Sequence, residues 1–200
     1  MPDAAAAGQL PFFTIGHSTR PWDTFVTALR SAEIDVLADV RTVPRSQRNP
    51  HFDRDYLSEH LPRANIAYRH IPALGGLRKR QAGVDRAINA GWENESFHNY
   101  ADYALGAEFG SALQDLIRVG GDARVAIMCA EARWWQCHRR IVCDHLLARG
   151  ETVFHIMEAG RIEPAEAGRI EPAQMNPAAR SRPDGAVTYP GEHQPDLFGG

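Results

Sequence analysis

The chain has 200 residues, a length that favours one globular domain with an appendage over two domains. Its composition is ordinary for a globular protein, with 44% hydrophobic and 24% charged residues and a formal net charge of -3. No apolar run reaches the roughly 18–20 residues of a membrane span, and the N-terminus lacks the basic and apolar regions of a secretory signal. The three cysteines, Cys129, Cys137 and Cys143, are too few and too closely spaced for a disulfide framework, so we expect free thiols and a cytoplasmic location.

Strand-like and helix-like segments alternate along the first 157 residues. The apolar spacing of Trp22, Phe25, Val26 and Leu29 predicts an amphipathic helix that follows the first strand. Short apolar runs bounded by Gly or Pro predict five strands, at 11–15, 34–40, 67–71, 124–129 and 152–156. Further helices are predicted at 53–63, capped by Asp53, and at 100–119 and 136–149, with an irregular loop over 77–97.

This order of elements predicts a three-layer α/β fold. Alternating strands and helices with short turns give a mainly parallel, five-stranded sheet with helices on both faces. Ligands of such sheets bind beyond the carboxyl ends of the strands. Residues that directly follow a strand are therefore the candidates for a functional site.

The composition of the chain changes after Met157. The segment EAGRIEPA at 158–165 is repeated letter for letter at 166–173, and the remainder is rich in Ala, Pro, Arg and Gly. Such a segment has too little apolar content to fold alone. We therefore predict a domain over 11–157 between a disordered N-terminus at 1–10 and a disordered linker and tail at 158–200.

The first candidate cluster is the segment GHSTR at 16–20, between the first strand and the first helix. The free N–H groups at a helix N-terminus favour an anion, and a histidine can transfer a proton near neutral pH. This predicts a catalytic role for His17 and anion binding by Ser18 and Arg20. The alternative is a turn that only caps the helix.

The second cluster follows the second strand, where Asp39 and Arg41 project to the same side of an extended chain. We predict a catalytic role for Asp39 and substrate binding by Arg41 and Arg45, because arginine grips phosphate or carboxylate with two donors. A structural ion pair is the alternative. Residues 41–80 hold nine Lys and Arg against three acidic residues, which favours an anionic partner.

The third cluster combines the end of the fourth strand with the start of the next helix. We predict Cys129 as a nucleophile, Glu131 as a general acid or base, His138 as a further catalytic residue, and Cys137 and Arg139 as substrate ligands. A helix N-terminus and neighbouring cations lower the pKa of a thiol. The alternative is that the cysteines only fill the core.

A metal near Cys129, Cys137 and His138 is a further alternative for this cluster. The spacing lacks the paired short knuckles of a structural zinc site, so we assign no metal ligands from the sequence.

Six motifs in order make the chain resemble the domain of unknown function family numbered 488, from about Phe12 to Ile156. This resemblance implies an α/β fold and an intracellular, bacterial-type protein, and it implies no established activity. The motifs are Ile15-Gly16-His17-Ser18, Asp39-Val40-Arg41 with Pro44-Arg45-Ser46, Asn49-Pro50-His51-Phe52, Leu74-Gly75-Gly76, Tyr100-Ala101-Asp102-Tyr103, and Met128-Cys129-Ala130-Glu131 with Cys137-His138-Arg139.

The end of the tail carries a second resemblance. Residues 194–198, QPDLF, are similar to the short peptide by which bacterial replication and repair proteins bind the DNA polymerase sliding clamp. In such a peptide Gln194 would set the orientation, while Leu197 and Phe198 would fill an apolar pocket.

Three hypotheses about function follow. The leading one is an intracellular hydrolase or transferase that acts on a nucleotide or nucleic-acid base and is recruited to the sliding clamp. Trp134 and Trp135 would be available to stack on a base. The alternatives are a non-catalytic module that binds nucleic acid or the clamp, and a small-molecule enzyme that depends on a thiol or a metal. No membrane partner is expected.

Overall fold

The structure is a computed structural model, and it describes residues 10–157 and 169–191. Within these ranges every helix is too short or too polar to span a bilayer. The strands are β1 Phe12–Gly16, β2 Val36–Asp39, β3 Ala67–His70, β4 Val125–Cys129, β5 Val153–Ile156, β6 Ile170–Pro172, β7 Arg180–Ser181 and β8 Val187–Thr188. The α-helices are α1 Trp22–Ser31, α2 Arg54–His60, α3 Glu95–Tyr103, α4 Ala107–Gly120 and α5 Arg139–Leu147.

Six of the strands form one sheet in the order β3-β2-β4-β1-β5-β6. The first five are parallel, and β6 is added antiparallel to β5. The register places Gly16 beside Cys129 and Asp39 beside Met128. The mainly parallel α/β sheet is confirmed, whereas its sixth strand was not predicted.

Apolar side chains cover both faces of the sheet. On one face Ala126 and Met128 of β4 pack in a core with residues of α1 and α2. On the other face Ile127 and Cys129 of the same strand pack with residues of α3, α4 and α5. Because successive side chains of a strand point to opposite faces, one strand contributes to both cores. The three layers of the predicted fold are therefore confirmed.

The chain leaves β1 and β4 in opposite directions. Beyond β1 it passes through α1 to β2, while beyond β4 it passes through α5 to β5, on the other side of β1 in the sheet. Between two such neighbouring strands the loops diverge and leave a crevice at the carboxyl ends. The first and third candidate clusters lie on the two loops that follow these strands.

The prediction of a disordered segment over 158–200 is wrong for residues 169–191. Strand β6, which lies in the second copy of the repeat, pairs with β5. Tyr189 is fully buried, and its hydroxyl donates to Asp144 Oδ2 at 2.7 Å while its N–H donates to Asn89 Oδ1 at 3.0 Å. The segment has too few apolar residues to form its own core, but several of its apolar side chains are buried against the domain of residues 10–157. The predictions for residues 1–9, 158–168 and 192–200 lie outside the described residues.

Several predicted boundaries also differ from the structure. The predicted helix at 100–119 is two helices, α3 and α4, because the chain turns at Ala104–Gly106 and Gly106 adopts an extended backbone. Helix α5 begins at Arg139 because Cys137 is extended. Asp53 precedes α2, but its carboxylate accepts from the Ser46 N–H at 2.6 Å rather than capping the helix.

Candidate active site

The loops after β1, β2 and β4 meet at one edge of the sheet, as the sequence predicts. The N–H groups of His17 and Ser18 donate to the carbonyl oxygens of Cys129 and Ala130 at 3.0 and 2.9 Å. A Cβ atom at Gly16 would overlap the carbonyl oxygen of Glu131, so this close approach requires glycine. The chain therefore brings the first and third clusters into direct contact.

Asp39 and Arg41 form a buried, two-pronged ion pair. Arg41 Nε donates to Asp39 Oδ1 at 2.9 Å and Nη2 donates to Oδ2 at 2.6 Å, while Tyr68 donates to Oδ2 at 2.8 Å. Arg41 Nη2 also donates to the carbonyl oxygen of Phe52 at 2.7 Å. These contacts match the structural ion pair that was the alternative for Asp39, and the carboxylate serves to hold Arg41 in place.

His17 is a neutral, buried ring in this arrangement. Burial lowers its pKa to about 4. Its Nδ1 lies 2.9 Å from the carbonyl oxygen of Ser18, its Nε2 lies 3.3 Å from Arg41 Nη1, and the ring stacks on Phe52. These partners suit the tautomer with hydrogen on Nδ1, which donates to Ser18 while Nε2 accepts from Arg41. The predicted proton transfer near neutral pH thus lacks support, and His17 instead supports Arg41.

Ser18 and Arg20 shape the same turn. Ser18 has a left-handed backbone with φ of 49°, and its carbonyl oxygen also accepts from Asn49 Nδ2 at 3.3 Å. Arg20 is buried, and its Nε donates to the carbonyl oxygen of Gly16 at 3.1 Å. The contacts of these two predicted anion ligands fix the path of the loop.

The third cluster brings two thiols and a carboxylate together. The Sγ atoms of Cys129 and Cys137 lie 2.6 Å apart, and Cys129 Sγ lies 2.9 Å from Glu131 Oε2. Both cysteines are buried, whereas Glu131 is exposed. Around Cys137, the Arg139 N–H donates to Sγ at 3.5 Å, and His138 Nδ1 lies 3.5 Å from the same sulfur.

Arg139 supplies a buried positive charge beside the thiols. Its side chain is 1% exposed, and Nη2 donates to the Glu131 carbonyl oxygen at 2.6 Å while Nη1 donates to Thr14 Oγ1 at 3.5 Å. Among the described residues no carboxylate lies within ion-pair distance of Arg139. A buried cation without a counter-ion is costly, so a thiolate is the anion that this position favours.

The two thiols differ in acidity. Burial favours the neutral form of Cys137, but the hydrogen bond from Cys129 and the charges of His138 and Arg139 outweigh it and lower the pKa of Cys137 well below its ordinary value. Burial and the contact with Cys137 raise the pKa of Cys129 well above its ordinary value. The predicted nucleophile was Cys129, whereas the structure favours Cys137 as the thiolate. The position of Cys137 just before a helix was the signal in the sequence.

The cluster opens into a cavity of about 430 Å³. Six predicted site residues line it, namely Arg41, Arg45, Cys129, Glu131, Cys137 and His138. The other five predicted site residues do not line it, namely His17, Ser18, Arg20, Asp39 and Arg139. Residues that the sequence did not predict as site residues also line it, namely Gly76, Leu77, Asn94, Ser96 and Phe97. The length of the predicted 77–97 loop was the only signal, because long loops in compact domains are often functional.

The mouth of the cavity is apolar and basic. Val43 and Leu77 line it and are 58% and 76% exposed. Trp135 is 41% exposed and neighbours the lining residue Gln136. Arg45 is an exposed cation on the same wall. Exposed apolar side chains beside a polar cavity are typical of a surface that binds a ligand.

The residues that offer metal ligands are Cys129, Glu131 and Cys137, whose ligand atoms all lie within 4.8 Å of one another. His138, which the sequence suggested, lies beside this group, and its Nε2 is 3.2 Å from the carbonyl oxygen of Val40. Two thiolates on one tetrahedral zinc ion lie about 3.8 Å apart. The observed separation is 2.6 Å, so the two sulfur atoms would have to move apart to bind one zinc ion together.

Comparison with known proteins assigns the family. No curated protein and no solved structure matches the chain. The family model of the domain of unknown function DUF488 matches residues 21–146, which is more than half of the chain and includes the second and third clusters. The chain therefore belongs to the DUF488 family.

Proposed function

We propose that the chain is an enzyme in which the Cys137 thiolate attacks a nucleotide or a nucleic-acid base bound in the cavity. The observation that carries this proposal is the 2.6 Å contact between Cys129 and Cys137 on the wall of the cavity, beside the buried Arg139. A thiolate, unlike a thiol, is a strong nucleophile.

The neighbours of Cys137 supply the other parts of such a reaction. Attack of the thiolate on an electrophilic carbon would form an S–C bond, break the bond to a leaving group and give a covalent intermediate. Water or a second substrate would then break the S–C bond and regenerate the thiolate, which describes a hydrolase or a transferase. Glu131 is exposed and lines the cavity, so its carboxylate is placed to exchange protons with a leaving group or with water. Cys129 and Arg139 keep Cys137 ionised.

The cavity walls favour an aromatic, anionic ligand. Leu77, Val43 and Phe97 offer apolar surface on which a base can pack, while Asn94 and Ser96 offer polar groups for its edge. Arg45 is an exposed cation at the mouth, and nine Lys and Arg lie in residues 41–80. These features support a nucleotide or nucleic acid as substrate.

Protection of Cys137 from alkylation tests the proposal. The reduced full-length chain is treated with iodoacetamide, and the alkylation rate of each cysteine is measured by peptide mass spectrometry with and without a deoxynucleoside monophosphate or a single-stranded oligonucleotide. We expect the nucleic-acid ligand to slow alkylation of Cys137 at least severalfold. The Arg45→Ala variant should lose most of this protection, whereas Arg48→Ala, which changes an exposed arginine outside the cavity lining, should keep it.

Turnover provides the second part of the test. The same ligands are incubated with the chain, and products are identified by mass spectrometry. We expect Cys137→Ala and Glu131→Gln to abolish product formation while Cys143→Ala retains it. Absence of protection by every nucleic-acid ligand would refute the substrate class. Protection without any product would instead support a non-catalytic binding module.

A further inference from the structure

Cys129 and Cys137 are the pair of thiols best placed to form a covalent bond. Their Sγ separation of 2.6 Å exceeds the length of a disulfide bond by only about 0.6 Å. Closing the bond would form a ring of nine residues, 129–137, that crosses the loop between β4 and α5. The third cysteine, Cys143, has no sulfur atom within hydrogen-bond distance in the described ranges.

The surroundings of the pair give its two members different roles. Cys137 is flanked by the Arg139 N–H and by His138, which stabilise a negative sulfur. Cys129 keeps its hydrogen and lies 2.9 Å from the Glu131 carboxylate, a group that can accept it. An ionised thiol beside a resolving thiol is the arrangement of cysteines that undergo reversible oxidation.

We propose that Cys129 and Cys137 form a reversible disulfide when a hydroperoxide enters the cavity, and that this bond switches the site off. Disulfide formation stands on the geometry of the pair alone. Only its consequence for turnover rests on the proposed function.

The reaction needs two steps. In the first, the Cys137 sulfur attacks the terminal oxygen of the hydroperoxide, the O–O bond breaks, Cys137 becomes a sulfenic acid, and the leaving alkoxide or hydroxide takes up a proton. In the second, Cys129 transfers its hydrogen to Glu131 and its sulfur attacks the Cys137 sulfur. The S–S bond forms, the S–O bond breaks, and the oxygen leaves as water with the hydrogen from Glu131.

The disulfide would remove the functional charge of the site. Cys137 would no longer be a nucleophile, and Arg139 would lose the anion that its burial favours. Two equivalents of a small thiol, or one of a dithiol, would restore both cysteines by exchange. Because the uncharged bond leaves Arg139 buried without an anion, we expect ready reduction.

Thiol counting after oxidation tests the inference without an activity assay. The reduced full-length chain receives one equivalent of hydrogen peroxide, is alkylated under denaturing conditions, and is analysed by intact mass and peptide mapping. We expect the wild type to lose two alkylation sites and the mass of two hydrogen atoms, with Cys129 and Cys137 joined and Cys143 alkylated. Dithiothreitol should restore all three sites.

Serine variants assign the roles within the pair. Cys143→Ser should form the disulfide as the wild type does, Cys137→Ser should keep both remaining thiols, and Cys129→Ser should stop at a sulfenic acid that dimedone traps on Cys137. Three free thiols in oxidised wild type, or a bond that includes Cys143, would overturn the inference. A disulfide in a chain that nucleic-acid ligands do not protect would leave the inference standing and refute the proposed function instead.

Discussion

At the scale of single residues, the most informative side chain is Arg139. It is one of the largest fully buried side chains in the described part of the chain, and its Nε atom makes no hydrogen bond there. The nearby thiols raise the pKa of this guanidinium, although burial opposes that change. An apolar side chain would often pack at this position at lower cost, so we infer that Arg139 acts through its charge on the neighbouring thiols.

Removing this charge tests its effect on Cys137. Arg139→Met keeps a long side chain and deletes the cation, so we expect a higher pKa for Cys137 and, at neutral pH, alkylation that slows about tenfold for each unit by which that pKa exceeds the pH. Arg140→Met is the matched control, because Arg140 lies over the Trp92 ring rather than beside the thiols. Circular dichroism checks that both variants fold. Equal alkylation rates in the two variants would contradict the role of Arg139.

The candidate residues show what a sequence can and cannot predict at this scale. The residue types after β4 identified the thiols and Glu131, because strand ends in a parallel sheet are where ligands bind. The assignment of the nucleophile to Cys129 was not supported, because acidity depends on three-dimensional neighbours such as Arg139. The pKa of His17 depends on how deeply its ring is buried, and no local pattern of residues predicts that burial.

At the scale of elements, the segment 169–191 packs against the domain that residues 10–157 form. It contributes β6 to the edge of the sheet, and Asn176 and Tyr189 both donate to the Asp144 carboxylate in α5. Burial raises the pKa of Asp144 to about 6. A buried carboxylate of this kind needs its hydrogen-bond donors, so the segment supports the helix that carries Arg139.

Removing one hydrogen-bond donor to the Asp144 carboxylate tests how much the segment 169–191 stabilises the domain. Tyr189→Phe removes the hydroxyl that donates to Asp144, and we expect the free energy of unfolding in urea to fall by about 1–3 kcal/mol. Tyr56→Phe is the control, since the Tyr56 hydroxyl makes no hydrogen bond in the described ranges. If both variants unfold at the same urea concentration as the wild type, the segment does not stabilise the domain through this contact.

At the scale of the whole molecule, the sequence predicts the parallel sheet, but it predicts neither strand β6 nor part of the cavity lining. Five predicted strands that alternate with predicted helices can be connected in only a few ways. Because the strands are parallel, Asp39 and Cys129 lie at the same carboxyl edge of the sheet. The sequence offered no comparable signal for β6, because its polar repeat is ordered by the domain edge rather than by its own residues. The lining residues at 94–97 likewise belong to the N-terminal end of α3, where the sequence predicts an irregular loop.

The peptide at 194–198 adds a prediction about the whole chain, and it lies outside the described residues. We expect the full-length chain to retain a purified bacterial sliding clamp in a pull-down, and the variants Leu197→Ala and Phe198→Ala to lose most of this binding because each empties an apolar pocket. Glu192→Ala, outside the peptide, should bind as the wild type does. Retention of the clamp by both apolar variants would show that the peptide is not the binding element.

The pH dependence of Cys137 alkylation tests the central claim most directly. Alkylation rates follow the thiolate fraction, and the pKa of Cys137 lies well below that of an ordinary thiol. Between pH 9 and pH 7, peptide mapping of the folded chain should therefore show an almost constant rate for Cys137. The same residue in the urea-unfolded chain should slow by about tenfold per unit at the lower end of that range, because an ordinary thiol has a pKa of about 8.5. A folded-state rate that falls in parallel with the unfolded one would mean that Cys137 is an ordinary thiol and would contradict the account.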